Sequence, residues 1–342
     1  MEKTSKSPVK SIVTIVISLA FASFFLWLAL RGLDFKVIQK SLAKANYLWV
    51  LFASVFGLLA YWFRAIRWNL MLEPMGYKIS NSNSLWSISF GYLMNLTIPR
   101  SGEVARATAL YGVEKVPVDK SFGTIILERV VDLICMLGFL GLTLLFKYDA
   151  ILSFYKNSGI SMNPNKIVLI LSILIAGTVL FFVFKKKLSG IPFLGKIVNF
   201  IDGIFQGITS IFKLKEKGKF ILYTLGIWIC YYLAAYLVCF ALPETSAFTF
   251  ADGFFIIVVG TLGMIIPASG GIGAYNLAMK YGFMALFISV GKSADFGGEM
   301  GLTYSFISLP LQIVIMLVMG LISIPMLAKA RNAAVSDKDF EN

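Results

Sequence analysis

Six runs of roughly 20 mostly apolar residues, each enough for a helix to cross a bilayer, divide the chain at about 9–30, 47–72, 121–146, 166–184, 220–242 and 302–327. Two further apolar stretches, 85–98 and 254–266, are too short to cross comfortably and stop at Pro99 and Pro267. Proline lacks the amide donor and clashes with the preceding turn, so it ends a helix there. A glycine-containing polar turn and a second helical stretch follow each of them. The pattern predicts an all-α polytopic membrane protein with six full spans and two helical hairpins.

Charge in the loops orients these elements. Between 185 and 219 eight lysines stand against Asp202 and Glu216, which places that loop in the cytoplasm. Lys3, Lys6 and Lys10, with Lys329 and Arg331, put both termini on the same side, whereas the loop 243–252 carries only Glu244 and Asp252 and belongs outside. The first run follows these lysines as a signal peptide would, but it is long and lacks a small-residue cleavage site, so we expect a retained span. The basic stretch 31–44, assigned outside, is expected to lie at the interface with Leu33, Val37, Ile38 and Leu42 toward lipid. Counting crossings, 84–113 must enter and leave on the cytoplasmic side and 253–290 on the outer side. The two hairpins are therefore expected to be re-entrant and oppositely oriented.

Their tips share a sequence. Ile98-Pro99-Arg100-Ser101-Gly102 and Ile266-Pro267-Ala268-Ser269-Gly270 agree at four of five positions, at an offset of 168 residues (266 minus 98). Ile-Pro ends helices in many contexts, but two such tips on opposed hairpins suit an inverted-topology repeat. We expect one transmembrane domain, 1–330, of two pseudo-repeats, about 1–184 and 219–327. An amphipathic cytoplasmic helix at 190–213 would join them, and a polar tail, 331–342, would follow.

Composition narrows the chemistry. With 58% apolar and 14% charged residues there is too little polar surface for a soluble enzyme. Histidine is absent, which removes His-based triads, His-ligated zinc and the usual near-neutral proton shuttle. The net charge of +13 points to anionic lipid surfaces rather than nucleic acid. Cys135, Cys230 and Cys239 sit in apolar runs without metal-ligand spacing, so no metal or cofactor is expected.

Charges inside apolar runs are disfavoured by roughly 2.5 to 3.5 kcal/mol each and must face a partner or water. Arg64 and Arg67 share a face of the second run, and Glu128 and Asp132 share a face of the third, beside Arg129. Arg67 also fits snorkelling to the interface. The first hairpin adds Arg100, Ser101, Glu103 and Arg106 just past its break. A helix start with backbone donors and a guanidinium suits a phosphate. We expect Arg64, Arg67, Arg100, Ser101 and Arg106 to bind a lipid phosphate, with Glu103, Glu128 and Asp132 as supporting carboxylates. The second hairpin has no charge before Lys280 and no Lys-Ser/Thr pair of a P-loop. There Ser269, Gly270, Gly271, Tyr275 and Asn276 are expected to form a neutral polar crossing. Tyr47, Trp49, Trp62, Trp68, Trp86 and Trp228 fit the aromatic belt or span packing.

Arg64, Arg67-Trp68, Met71, Gly91-Tyr92, Asn95, Pro99 to Glu103, Arg106, Glu128-Arg129, Asp132 and Pro267 to Gly273 together resemble the lysylphosphatidylglycerol synthase transmembrane family. These flippase-like membrane proteins are linked by name to dolichol-phosphate-sugar proteins. In the family the glycine-rich turn is followed by an Arg-Glu pair where this chain has Tyr275-Asn276. Larger members append a soluble aminoacyl-transferase domain, where this chain has only 331–342. The resemblance therefore implies lipid translocation without aminoacyl-lipid synthesis.

We expect an inner-membrane protein that moves a phospholipid or lipid-linked substrate with an anionic or aminoacylated headgroup. It would have no catalytic residue and no nucleic-acid partner, and a homo-oligomer is compatible with it. The alternatives are an intramembrane transferase using a lipid-phosphate donor, with Glu128 or Asp132 as base, or a non-transporting accessory subunit.

Overall fold

The computed structural model describes residues 35–98, 100–157, 214–266 and 268–339. Ten α-helices and no strand occur among the described residues. They are α1 (Phe35–Lys44), α2 (Tyr47–Leu72), α3 (Asn81–Thr97), α4 (Gly102–Glu114), α5 (Val118–Phe146), α6 (Tyr148–Asn157), α7 (Lys217–Cys239), α8 (Phe250–Ile265), α9 (Ala274–Ser289) and α10 (Ala294–Asp339). The apolar runs 9–30 and 166–184, the linking helix 190–213, and Pro99 and Pro267 lie outside the described residues.

Helices α2, α5, α7 and α10 are long and apolar enough to cross a membrane, and each holds one of the predicted runs. Their contacts fix their relative directions. The backbone N–H of Asn46 donates to Ala241 at 2.8 Å, and Arg67 at the far end of α2 reaches Thr224. Hence α2 and α7 are antiparallel. Trp68 pairs with Thr124 and Arg64 with Glu128, which makes α5 antiparallel to α2 as well. Tyr304 donates to the carbonyl of Ala235, and Gly57 lies against Ile315. Helix α10 therefore runs parallel to α2.

Two helical hairpins fill this frame. In the first, Glu114 at the end of α4 accepts from Asn83 Nδ2 at 2.7 Å and from the Ser80 backbone at 3.0 Å, while at the tip Gly102 N donates to Asn95 Oδ1 at 2.7 Å. In the second, Gly282 abuts Val259 and Gly263 abuts Ala278, so α8 and α9 are antiparallel too. Small residues at these crossings allow the backbones to approach, which matters in lipid where burial of apolar surface between helices contributes little. Because α2 and α5 flank the first hairpin and α7 and α10 the second, each hairpin begins and ends at one end of the frame, and the two ends are opposite.

Helix α10 is their common backing. Asn276 Nδ2 donates to Ser305 Oγ at 2.7 Å, Gly270 at the second tip faces Ile313, and Leu93 of α3 packs on Gly320. The hairpins thus descend along α10 from opposite ends and their tips touch beside Ile313. Leu96 faces Gly270, and Arg100 Nη2 donates to the carbonyl of Ile265 at 2.9 Å.

One expectation changes. Ile38 and Leu42, expected to face lipid, pack on protein instead: Ile38 is buried against Leu302, with Leu42 and Phe306 around them. Leu33 and the Val37 side chain lie outside the described residues. Helix α10 continues through Asp339. Amphipathic spacing defines an apolar face but does not say whether lipid or another helix covers it.

Candidate functional site

Behind the tip of the first hairpin, five charged side chains from three helices converge. Arg64 and Arg67 come from one face of α2, Glu128 and Asp132 from one face of α5, and Arg106 from the second turn of α4. The i, i+3 and i, i+4 spacings bring each pair to its common face. Arg64 donates from Nη2 to Glu128 Oε1 at 2.6 Å and to Asp132 Oδ2 at 3.0 Å. Arg67 Nη2 donates to Asp132 Oδ1 at 3.1 Å and stands 3.8 Å from Glu128 Oε1. Arg106 Nη1 lies 3.0 Å from Glu128 Oε2. Arg67 and Glu128 are fully buried, Arg64 and Arg106 nearly so.

A ring of less conspicuous residues completes the cluster. Arg64 Nη1 donates to the hydroxyls of Tyr92 and Tyr231, the latter at 2.6 Å. Arg67 Nη1 reaches Thr224 Oγ1 at 3.5 Å. The guanidinium of Arg106 stacks on Trp68, its carbon 3.7 Å from the ring centroid. Trp68 in turn donates to Thr124 Oγ1 at 2.8 Å. Trp68 is completely buried in the core, so of the belt and packing roles expected for it the packing role holds, with the Arg106 guanidinium stacked on its ring in addition.

Three buried arginines face two buried or half-buried carboxylates, three positive charges minus two negative, leaving an excess of one. Such an excess is costly away from water. Arg106 carries the visible mark of it: its Nε and Nη2 atoms are buried without a hydrogen-bond partner among the described residues, as is Arg67 Nε. Arg106 lines a narrow cleft between α3 and α4 together with Gly91, Tyr92, Asn95, Gly102 and Glu103. The free volume there is about 10 Å³, room for roughly one water.

The other expected site residues lie elsewhere. Glu103 and Arg129 pair at 3.6 Å on the more exposed rim. Arg100 is exposed at the tip, with a left-handed φ of 60°. Ser101 Oγ donates to the carbonyls of Met94 at 3.0 Å and Ile98 at 2.7 Å, closing the tip on itself. Ser269, Gly270 and Gly271 form a short turn at the second tip, with φ of 61° at Gly270 and 74° at Gly271. Tyr275 and Ser308 share a hydrogen bond of 2.9 Å, and Asn276 accepts from Gly273 N at 2.9 Å, so both tie α9 into its own turn and α10. The second hairpin thus meets the first at the tips, and its hydrogen-bonded Tyr275 and Asn276 point to α10 and not to the arginine cluster.

Fold and site define a polytopic helical membrane protein with a buried arginine and carboxylate cluster set beside two opposed hairpins. The chain belongs to the lysylphosphatidylglycerol synthase TM region family, which it matches over residues 15–315. It is similar to UPF0104 membrane protein MJ1595 of Methanocaldococcus jannaschii, 30% identical over 129 residues, which cover 37% of this chain and 38% of that protein. It is also similar to Glycosyltransferase AglD of Haloferax volcanii, 24% identical over 314 residues, 82% of this chain and 50% of that one. The chain thus matches half or less of the length of these relatives. No solved structure matches.

Proposed function

We propose that this protein carries a lipid with an anionic headgroup between the leaflets, the headgroup passing the tips of two re-entrant hairpins while the tails stay in the bilayer. One observation carries the reading: the hairpins approach along α10 from opposite ends and touch beside Ile313, near the middle of the apolar run 302–327, next to a buried cluster with one unmatched positive charge. A charge at that depth attracts an anion that bare hydrocarbon would reject. The narrow cleft means that the hairpin must part from its neighbours for a headgroup to enter. Opening and closing of one hairpin against the rest is a form of alternating access.

A second reading, an intramembrane transferase acting on a lipid-linked sugar, has one support in the printed name of the Haloferax volcanii relative. Glu128, its candidate base, is engaged by three guanidinium groups here and acts as their counter-ion. Purified protein in vesicles holding fluorescent phosphatidylglycerol separates the readings. Dithionite added outside should bleach inner-leaflet probe as well as outer if the lipid is moved, with no new lipid product formed. Bleaching confined to the outer leaflet would reject translocation.

A further inference from the structure

We propose that the Nε and Nη2 edge of Arg106 is a phosphate seat matched to a headgroup with a single net negative charge, a phosphodiester in preference to a diphosphate. This rests on the lipid reading above and names the class of lipid.

An arginine guanidinium has two faces and five N–H donors to satisfy. In Arg106 one face is taken by Trp68 at 3.7 Å and Nη1 by Glu128 at 3.0 Å. Nε and Nη2, which lie side by side and point the same way, are buried and unpartnered among the described residues. That pair of parallel N–H groups is the fork that takes two oxygens of one phosphate. Unmade bonds to buried charged donors are costly, and native structures rarely leave them without a reason. Asn95 and the Gly102 helix start line the same cleft, where Gly91 and Gly102 pack backbone to backbone and Gly102 N donates to Asn95 Oδ1 at 2.7 Å, so the guanidinium edge is the donor left without a partner there among the described residues. Trp68 and Glu128 hold the fork in place before any ligand arrives.

The preference follows from charge. Arg64, Arg67 and Arg106 against Glu128 and Asp132 leave one positive charge, and the rim pair Glu103 and Arg129 adds none. One phosphodiester neutralises the buried set. A diphosphate brings further negative charge into the same low-dielectric place with nothing to balance it.

The test compares fluorescent phosphatidylglycerol with a fluorescent polyprenyl diphosphate in the same vesicles, and adds a binding readout that does not depend on movement. Wild-type protein should exchange the phosphodiester faster by about tenfold or more, because the diphosphate leaves a buried negative charge unbalanced. Arg106→Lys keeps the charge but loses the fork, and should lose that advantage. Asp132→Asn raises the excess to two and should shift preference toward the diphosphate. In detergent, short-chain phosphatidylglycerol should raise the melting temperature of wild type but not of Arg106→Lys, and inorganic phosphate should do so only weakly. Equal stabilisation of both proteins by the short-chain lipid, or equal exchange of both lipids by wild type, would overturn the seat. Stabilisation by inorganic phosphate matching that by the lipid would reassign it to a free anion. Failure to exchange any lipid, with Arg106-dependent stabilisation intact, would instead sink the translocation reading and leave the seat standing.

Discussion

Arg100, exposed at the tip of the first hairpin, donates through Nη2 to the carbonyl of Ile265, the last residue of α8, at 2.9 Å. The bond joins two hairpins that come from opposite ends of the frame, and it frees a carbonyl at a helix end from needing water. Arg100 is in the left-handed region, with φ of 60°. Glycine there would relieve the backbone by about 1 kcal/mol while losing the tip contact; alanine would lose the contact and keep the strain. Melting in detergent should rank Arg100→Gly above Arg100→Ala. Both should exchange lipid at least as fast as wild type, because the side chain that ties the tips is gone and the hairpins must part for a headgroup to enter.

Glu128 is the counter-ion on which three arginines converge. Glu128→Gln keeps the shape and leaves three buried guanidinium groups facing a single carboxylate. Removing one partner of a buried ion pair costs about 3–5 kcal/mol, so a large drop in melting temperature is expected. The exposed pair of Lys219 and Glu216, at 2.8 Å, serves as the control. Glu216→Gln should leave the melting temperature unchanged, since surface pairs add little.

Gly102 opens α4 at the tip of the first hairpin. A Cβ there would strike the Asn95 amide and the carbonyl of Gly91, whereas one on Gly123 would meet nothing within 4 Å. Overpacking of this kind costs about 1–3 kcal/mol. Gly102→Ala should lower the melting temperature and alter the cleft, and Gly123→Ala should do neither.

Lys147, just past α5, holds Asp252 Oδ1 at 2.6 Å, and Asp252 Oδ2 accepts from Thr249 N at 2.7 Å in the capping box that starts α8. This link anchors the base of the second hairpin to the helix that supplies Glu128. Asp252→Ala removes the ion pair and the N3 half of the capping box, leaving Thr249 as N-cap, and should cost about 1 kcal/mol. Lys147→Met should cost less, because the cap survives. Thermal melts of the two variants side by side check the order.

Much of this architecture could be read along the chain, for identifiable reasons. Runs of 20 apolar residues have one economical fold in lipid, so the helices α2, α5, α7 and α10 stood out. Pro99, Pro267 and the glycines after them marked the hairpin turns. Arg64, Arg67, Glu128 and Asp132 were conspicuous because charge is rare inside such runs. Tyr231 and Thr224 carried no comparable signal, and Tyr92 stood out only as part of the family resemblance: a tyrosine or threonine is ordinary in a membrane helix, and only its neighbour in space reveals its use. The same limit explains Ile38 and Trp68, whose apolar surfaces suit lipid as well as protein. Arg100 and Arg106 are six positions apart in sequence, yet one reaches the opposing hairpin and the other turns into the cluster.

The central claim, that a headgroup passes where the hairpin tips meet, is tested most directly by tying the tips together. Cys135, Cys230 and Cys239 are free thiols and would first be replaced. Arg100→Cys and Ile265→Cys would then be joined by a short, reducible thiol cross-linker in vesicles containing fluorescent phosphatidylglycerol. The account expects leaflet exchange to stop on cross-linking and to return when the linker is reduced. Exchange that continues at its unlinked rate with the tips tied would contradict it.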